Sequence, residues 1–337
     1  MGEPLARSAS LSVVVVAYRS GPSLQRCLRA VHEHSPEAEV IVVDNGGAEL
    51  GDEQALVVDA GGNLGYAGGA ALGASKAGGE VLVFLNQDAV VEPGALEALA
   101  RTLEDPAVGI AMARLRLLDR PELLNSGGTV VHLSGIAWAG RFEQPAESLG
   151  ERADVPAPSG AALAIRRELY AELGGFSPEL FMYLEDLELG WRARLQALRV
   201  VVEPGADVLH EYEFSRNADK LALLERNRLV FVLSAYSLRL LLLLGPVLFA
   251  VELAMLGLSA RQRWLGGKLR GYGWVLARPR WLLRHRRETQ RLRRVRDREL
   301  VRFLTPTLDP RMIELPRGAG AFNRAVERYW RLARKAL

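Results

Sequence analysis

The apolar positions of this chain first come in short unbroken runs and only later in long ones. Residues 11–17, LSVVVVA, form a continuous β-branched run, the pattern of a strand covered on both faces. Gly21-Pro22 then opens a helical pattern through Leu24, Leu28 and Val31, since proline fits a first helical turn, where no N–H is needed. Further apolar runs at 40–43, 56–58 and 81–85 predict three more strands. Between the last two, the small-residue-rich stretch 65–77 predicts a helix packed closely on a sheet. Strands alternating with helices imply right-handed βαβ units in a mostly parallel sheet. The expected class is α/β.

Past this point the pattern changes. Residues 115–118 and 129–133 are expected to pair as antiparallel strands around a turn at Asn125-Ser126-Gly127-Gly128. A proline-rich loop at 155–158 leads to Ser159-Gly160, a strand is expected at 161–165, and a helix near 168–173. Residues 174–195, GGFSPELFMYLEDLELGWRARL, set two adjacent acids, Glu185 and Asp186, at an aromatic-rich turn into a helix. Acids there complement the helix macrodipole; Trp191, Arg192 and Arg194 are read as serving that helix's packing and solvated faces. A strand-like segment, 206–209, ends on His210.

In open sheets of this kind, ligands bind beyond the carboxyl ends of the strands. Tyr18-Arg19, Asp44-Asn45 and Asn86-Gln87-Asp88 all follow predicted strand ends, so three polar clusters are expected at one edge. Asp-Asn-Gly-Gly at 44–47 is also a plain turn composition. The glycines of Asn63-Leu64-Gly65-Tyr66-Ala67-Gly68-Gly69 have neither dinucleotide-binding spacing nor a P-loop lysine.

Taken in order, these motifs resemble those of family 2 inverting glycosyltransferases, and Phe181, Met182 and Tyr183 before the acidic pair most resemble the rhamnosyltransferase members. The resemblance covers roughly residues 10–215. It implies a GT-A-type fold, a mostly parallel central sheet flanked by helices. The expected organisation is a flexible N-terminus over 1–9, a glycosyltransferase domain over 10–215 and, from composition and charge rather than from the resemblance, a C-terminal helical basic membrane-associating extension over 216–337, apolar and then arginine-rich. Donor contacts are implied for Ala17, Tyr18, Arg19, Asp44, Asn45, Asn63, Gly65, Asn86, Gln87 and Asp88, with Asp44 facing the nucleobase. Asn86 stands where the family's metal motif has its first acid, which leaves Asp88 and His210, in His210-Glu211-Tyr212-Glu213-Phe214-Ser215, to hold a divalent cation, Mg²⁺ or Mn²⁺. Asp186 is implied as the base that deprotonates the acceptor hydroxyl, with Glu185, Tyr183, Ser159 and Gly160 on the acceptor side. The implied reaction moves a sugar, L-rhamnose from dTDP-rhamnose first among candidates and a UDP-sugar as the alternative, onto a lipid-linked or polysaccharide acceptor in cell-envelope glycan synthesis.

Composition supports an ordinary globular protein: of 337 residues, 49% are hydrophobic and 25% charged. The single cysteine, Cys27, forms no internal disulfide, and the run at 11–17 is too short for a secretory leader's apolar core. A reducing cytosolic compartment is therefore expected. Charge is lopsided: residues 261–337 carry 22 basic and 6 acidic side chains, whereas residues 1–260 carry 21 and 34. Such a tail suits an anionic surface. Only Arg239 and Glu252 are charged between 229 and 260. A span needs about 20 apolar residues, so 240–260 would cross a bilayer only by carrying Glu252 and the Gly245-Pro246 kink. An interfacial or re-entrant helical pair is the leading expectation, ahead of a true span or a helix packed on the rest of the protein. Trp264, Tyr272, Trp274 and Trp281 among the arginines fit a headgroup region. No nucleic-acid-binding motif accompanies them, which disfavours that partner. The expected location is cytoplasmic, peripheral or monotopic on the inner membrane face, with a homo-oligomer compatible.

Rival classes are each missing a part. A glycoside hydrolase needs two carboxylates about 5 to 9 Å apart across a bond, which adjacent residues seldom provide. A processive polysaccharide synthase is disfavoured because Gln262-Arg263-Trp264 has the wrong motif spacing. A nucleotidyltransferase would need a basic, Gly-rich triphosphate loop, and 18–22 offers only Arg19. A catalytically silent scaffold that keeps the fold is the rival raised by Asn86.

Overall fold

A computed structural model describes residues 9–211, 218–309 and 318–337. Residues 1–8 of the expected flexible N-terminus and Tyr212 to Ser215 of the histidine motif lie outside the described residues. The first half alternates as its apolar runs predict: β1 (Leu11–Ala17), α1 (Pro22–His34), β2 (Glu39–Asp44), β3 (Leu56–Asp59), α2 (Gly65–Ala74) and β4 (Val81–Asn86). β3, β2, β1 and β4 are neighbours in that order and parallel. Val13, Val15, Leu82 and Phe84 are wholly buried, as strands with helices on both faces must be. α2 lies close on this sheet because it has no side chain in the way. A Cβ on Gly73 would come within 2.4 Å of Val14 Cγ1.

The second half adds β5 (Ala89–Val91), α3 (Ala95–Thr102), β6 (Val108–Leu117), β7 (Leu124–Ser126), β8 (Thr129–His132), β9 (Ala137–Ala139), β10 (Ala153–Asp154), β11 (Ala162–Arg166), α4 (Arg167–Glu172), α5 (Glu185–Leu195) and β12 (Arg199–His210). The main sheet runs β10-β12-β6-β11-β4-β1-β2-β3. β11 lies antiparallel between β4 and β6, while β6 and β12 are parallel to each other. This insertion positions the site. An antiparallel strand starts at the edge where its parallel neighbours end, so the residues entering β11 meet the loops leaving β1, β2 and β4.

One pairing differs from expectation. β6 takes β7 as its antiparallel partner, Leu115 opposite Ser126, whereas 129–132 leave the main sheet and form a small one with β9 and β13 (Leu304–Thr305). The intervening turn does not return the chain alongside β6; Gly128, at φ +108, carries it away.

The C-terminal part is helical: α6 (Ala218–Ala235), α7 (Leu238–Arg261), α8 (Leu265–Leu276), α9 (Pro279–Arg291), α10 (Asp297–Leu300) and α11 (Ala319–Ala333). It shares a second core with α5. Leu187, Trp191 and Leu195 pack with Phe231, Tyr236, Leu240 and Trp330, and the Trp191 ring meets the Phe231 ring edge-on at 5.5 Å. Trp191, Arg192 and Arg194 are therefore all buried rather than partly solvated. Arg192 pairs with Glu188 at 2.7 Å and donates to the carbonyls of Leu173 and Gly175, and Arg194 pairs with Asp154 at 3.0 Å. Helical periodicity alone misses this because α5 is enclosed by the sheet on one side and the C-terminal helices on the other.

Candidate active site

A cleft of about 870 Å³ opens at the carboxyl edge of the sheet, within the usual size range of ligand sites. Its walls include Tyr18, Asn45 and Asn63, then Asn86, Gln87, Asp88 and His210, then Ser159, Gly160, Tyr183, Glu185 and Asp186. Four other expected contacts stand behind or beside this wall. Ala17 is fully buried at the end of β1, and Gly65 is buried, its carbonyl accepting from Asn45 Nδ2 at 3.1 Å. Arg19 is exposed, its guanidinium 5.2 Å from the Tyr18 ring centre. Asp44 precedes the wall by one residue, and its Oδ1 accepts from the N–H groups of Gly46 and Ala48 at 2.9 and 3.1 Å. That is the turn its composition suggests, and it leaves Oδ2 outside these bonds.

Amide side chains assemble the floor. Asn45 Oδ1 accepts from Leu64 N at 2.7 Å, while its Nδ2 donates to Asn63 Oδ1 at 3.1 Å. Gln87 accepts from the Tyr18 N–H at 2.8 Å and donates back to its carbonyl, tying the loop after β4 to the loop after β1. His210 closes β12 with Nε2 3.2 Å from Asp88 Oδ1 and 3.3 Å from Asn86 Nδ2. Its Nδ1 meets Asn125 Oδ1 at 3.1 Å; an amide oxygen only accepts, so that ring nitrogen donates, and Nε2 either accepts from Asn86 Nδ2 in the neutral ring or donates to Asp88 in the charged one. Among the described residues, no three His, Cys, Asp or Glu side chains converge as a preformed metal cage.

On the opposite wall the chain enters α5 through an unusual backbone. Phe181, Tyr183 and Leu184 have φ of 64°, 74° and 64°, left-handed values that cost a non-glycine residue roughly 1 kcal/mol or more each. The strain is held from below: Asn227 Nδ2, on α6, lies 2.9, 2.9 and 2.7 Å from the carbonyls of Leu180, Met182 and Tyr183. Arg226 adds a bond to the Leu180 carbonyl at 2.6 Å. Gly65 seats the loop from above, since a Cβ there would lie 2.2 Å from Phe181 O.

The two acids so placed have different surroundings. Asp186 Oδ2 accepts from Gly160 N and Oδ1 from Leu187 N, both at 2.7 Å. Burial pushes its carboxyl up, and these N–H bonds oppose that shift without cancelling it. Glu185 is 6% exposed, and its Oε2 has no hydrogen-bond partner. Burial, then the neighbouring Asp186 charge, push Glu185 well above the usual carboxylate range. The environments therefore favour ionised Asp186 beside neutral Glu185. Tyr66 donates to Gly160 O at 2.8 Å and stays neutral, its hydroxyl raised by burial and by both acids. The two walls are joined through β11: Asn86 N donates to Ala161 O at 2.9 Å, one residue from the Gly160 that holds Asp186.

Comparison with known proteins gives the family and the fold. Residues 12–174 match the model of Glycosyl transferase family 2. The N-acetylglucosaminyl-diphospho-decaprenol L-rhamnosyltransferase of Mycobacterium tuberculosis is 30% identical over 242 residues, covering 62% of this chain and 78% of that protein. The chain is a family 2 glycosyltransferase. The O-antigen biosynthesis protein RfbC of Myxococcus xanthus is 32% identical over 157 residues, 44% of this glycosyltransferase but only 12% of RfbC. Among solved structures, GalNAc-T7 with UDP, GalNAc and Mn²⁺ matches with a TM-score of 0.57 at 20% identity, over 68% of this chain and 48% of that one. A mannosyltransferase from Pyrobaculum calidifontis with GDP-Man and Mn²⁺ gives 0.50 at 18%, over 81% and 76%. These likenesses establish the GT-A fold.

Several residues of the glycosyltransferase's cleft were not legible in sequence. Asn125, read as a turn residue, fixes His210. Trp138 on β9 and Lys220 on α6 both line the cleft, the Lys220 ammonium 5.4 Å from the Tyr183 ring centre. Asn227 lies outside the resembling segment altogether. Only the Glu225-Arg226-Asn227-Arg228 run, set against the apolar stretch 229–233 of the same helix, could have flagged it.

Proposed function

We propose that this glycosyltransferase moves L-rhamnose from dTDP-rhamnose, ahead of UDP-sugar donors, to a hydroxyl of a lipid-linked or polysaccharide acceptor, with inversion. One observation carries the reading: a backbone-held carboxylate, Asp186, shares a single cleft with the Asp88–His210 pair. Asp186, raised by burial and with its carboxylate form favoured by two N–H donors, suits a general base for a hydroxyl proton. Neutral Glu185 donates its O–H to the acceptor and orients it. Tyr183, Ser159 and Gly160 complete that side. The donor lies along Tyr18, Asn45 and Asn63, with Asp44 Oδ2 toward the base.

The donor set of Asp88 Oδ1 and His210 Nε2, 3.2 Å apart, suits a divalent cation that would replace a proton between them, one hard and one borderline ligand. Asp88 and His210 would hold the ion only weakly by themselves, so its binding would depend on the diphosphate. When bound, the ion neutralises charge on the departing nucleoside diphosphate. Asn86, in the place of the usual first acid, lowers the site's charge and so ties metal affinity to the nucleotide. The rhamnose and lipid-linked assignments are supported by the likeness to the mycobacterial L-rhamnosyltransferase, whose acceptor is decaprenol-linked, and, for the acceptor, by the apolar helix α7. They imply work at the cytoplasmic face of a membrane.

The test is a panel of nucleotide sugars offered to the purified chain with Mn²⁺, Mg²⁺ or EDTA. Turnover of dTDP-rhamnose, lost with EDTA and reduced in Asp88→Asn, is expected. A preference for UDP-sugars would replace the donor; no binding of any nucleotide sugar would leave a silent scaffold.

A further inference from the structure

α7 has two apolar faces, and only one is covered. Leu240, Leu244, Val247 and Val251 are buried in the second core. Leu238, Leu242, Phe249 and Leu253 point the other way and are 54 to 73% exposed, and Pro246 and Gly257 continue their stripe. The one acid of the helix, Glu252, is turned from this stripe. Its oxygens lie 2.6 Å from Arg228 Nη2 and 2.7 Å from Lys268 Nζ, and Tyr272 also donates to it. Arg228 and Lys268 in turn hold buried Glu225 at 2.9 and 2.7 Å. Two acids and two bases thus close a neutral set across α6, α7 and α8, and no carboxylate reaches the exposed face.

Positive charge stands at both ends of the stripe. Arg239 opens it and bonds the Ala336 carbonyl, which brings the exposed Arg334 and Lys335 to that end. Arg261 and Arg263, both exposed, close it. A helix of 24 residues is about 36 Å long.

We propose that this face of α7 lies flat in the interface of an anionic lipid bilayer, its Leu and Phe side chains among the acyl chains and its terminal arginines at the headgroups. It does not cross the bilayer, because extraction from the second core would uncover Leu240 to Val251 on one side and the Glu225–Arg228–Glu252–Lys268 set on the other. α6 carries that ionic set and also, through Asn227, the acceptor loop. Docking α7 therefore holds the cleft at a fixed attitude to the surface from which a lipid-linked acceptor is presented; that consequence rests on the function proposed above, but the docking itself does not.

Flotation of the full chain with vesicles of phosphatidylcholine alone or with 30 to 40%, roughly, of phosphatidylglycerol tests this without donor or acceptor. Wild type is expected to float with the anionic vesicles and to be released by alkaline carbonate. Leu242→Glu with Phe249→Glu is expected to lower binding at least tenfold with an unchanged melting profile and unchanged donor turnover in solution. Should that pair misfold, Arg261→Ala with Arg263→Ala, which unpacks nothing, is expected to lower binding to anionic vesicles only. Undiminished flotation of the variants, resistance of wild type to carbonate, or a wild-type dimer that does not float and that Leu242→Glu with Phe249→Glu splits would each overturn the proposal.

Discussion

Asn227 offers the sharpest separation between a residue that holds the site and one that merely fills space. Its Nδ2 faces three carbonyls within 2.9 Å, and a hydrogen bond contributes about 1 kcal/mol net, with a similar penalty for each buried carbonyl left bare. Asn227→Ala should therefore cost about 2 to 3 kcal/mol locally. The strain it opposes, three left-handed non-glycine residues at roughly 1 kcal/mol each, is of the same size. The loop carrying Tyr183 and leading to Asp186 is then released while the donor wall, built on β1, β2 and β4, is untouched. At 1.36 kcal/mol per decade of rate, kcat should fall roughly 30- to 150-fold, with the donor Kd within twofold of wild type. Asn227→Asp sharpens the test: it keeps the volume but, when ionised at pH 8, puts a carboxylate against three carbonyl oxygens. It should be worse than alanine. Steady-state turnover and calorimetric donor titration on both variants decide the matter. An aspartate variant close to wild type, or a donor Kd that rises in step with the loss of kcat, would refute the reasoning.

Glu185→Gln removes a buried charge that ionisation would otherwise create. The folded-state pKa of Glu185 is raised, so its neutral form suits the fold, and wild type loses stability as pH rises from the unfolded value toward the folded one. The variant should melt higher at pH 7 to 8 and converge with wild type near pH 4; the reverse trend in a pH series of melting curves would contradict the assigned environment. Asp186 is also raised, and as a base it must be ionised. Activity should therefore decline as pH falls through a value above that of a free aspartate, and a kcat profile flat down to pH 4 would exclude it. Gly65→Ala puts a Cβ 2.2 Å from Phe181 O at a φ of +70°, whereas Gly61→Ala has a similar φ of +68° and open space. The first should lose turnover at least tenfold and the second little; equal losses would mean backbone strain alone matters at Gly65.

Much of the sheet was legible because β1, β2 and β4 are fully covered, and full burial leaves unbroken apolar runs that no other element of that length produces. The polar clusters at Tyr18, Asn45 and Asn86–Asp88 followed from those strand ends. The loop at 125–133 was misread because turn composition marks where a chain bends but not which strand it returns to. At Asp44 the turn that its composition suggests does form, through Oδ1. Arg192 and Arg194 looked solvated because charge usually means exposure, while their partners, Glu188 four residues away and Asp154 forty residues away, become partners only when α5 is enclosed. Glu252 illustrates the same limit. In sequence it argued against a bilayer crossing, and in space it is half-buried at the flank of α7, neutralised by Arg228 and Lys268 beside an outer face that stays apolar.

The central claim is that Asp186 takes the acceptor proton. It is tested most directly by Asp186→Asn, which keeps shape and the capacity to accept from Gly160 N–H but abolishes basicity. Transfer from dTDP-rhamnose to membrane lipid extract should drop about 10²- to 10⁴-fold, with the donor Kd within twofold. Turnover equal to wild type in this variant would remove Asp186 from the mechanism and the account with it.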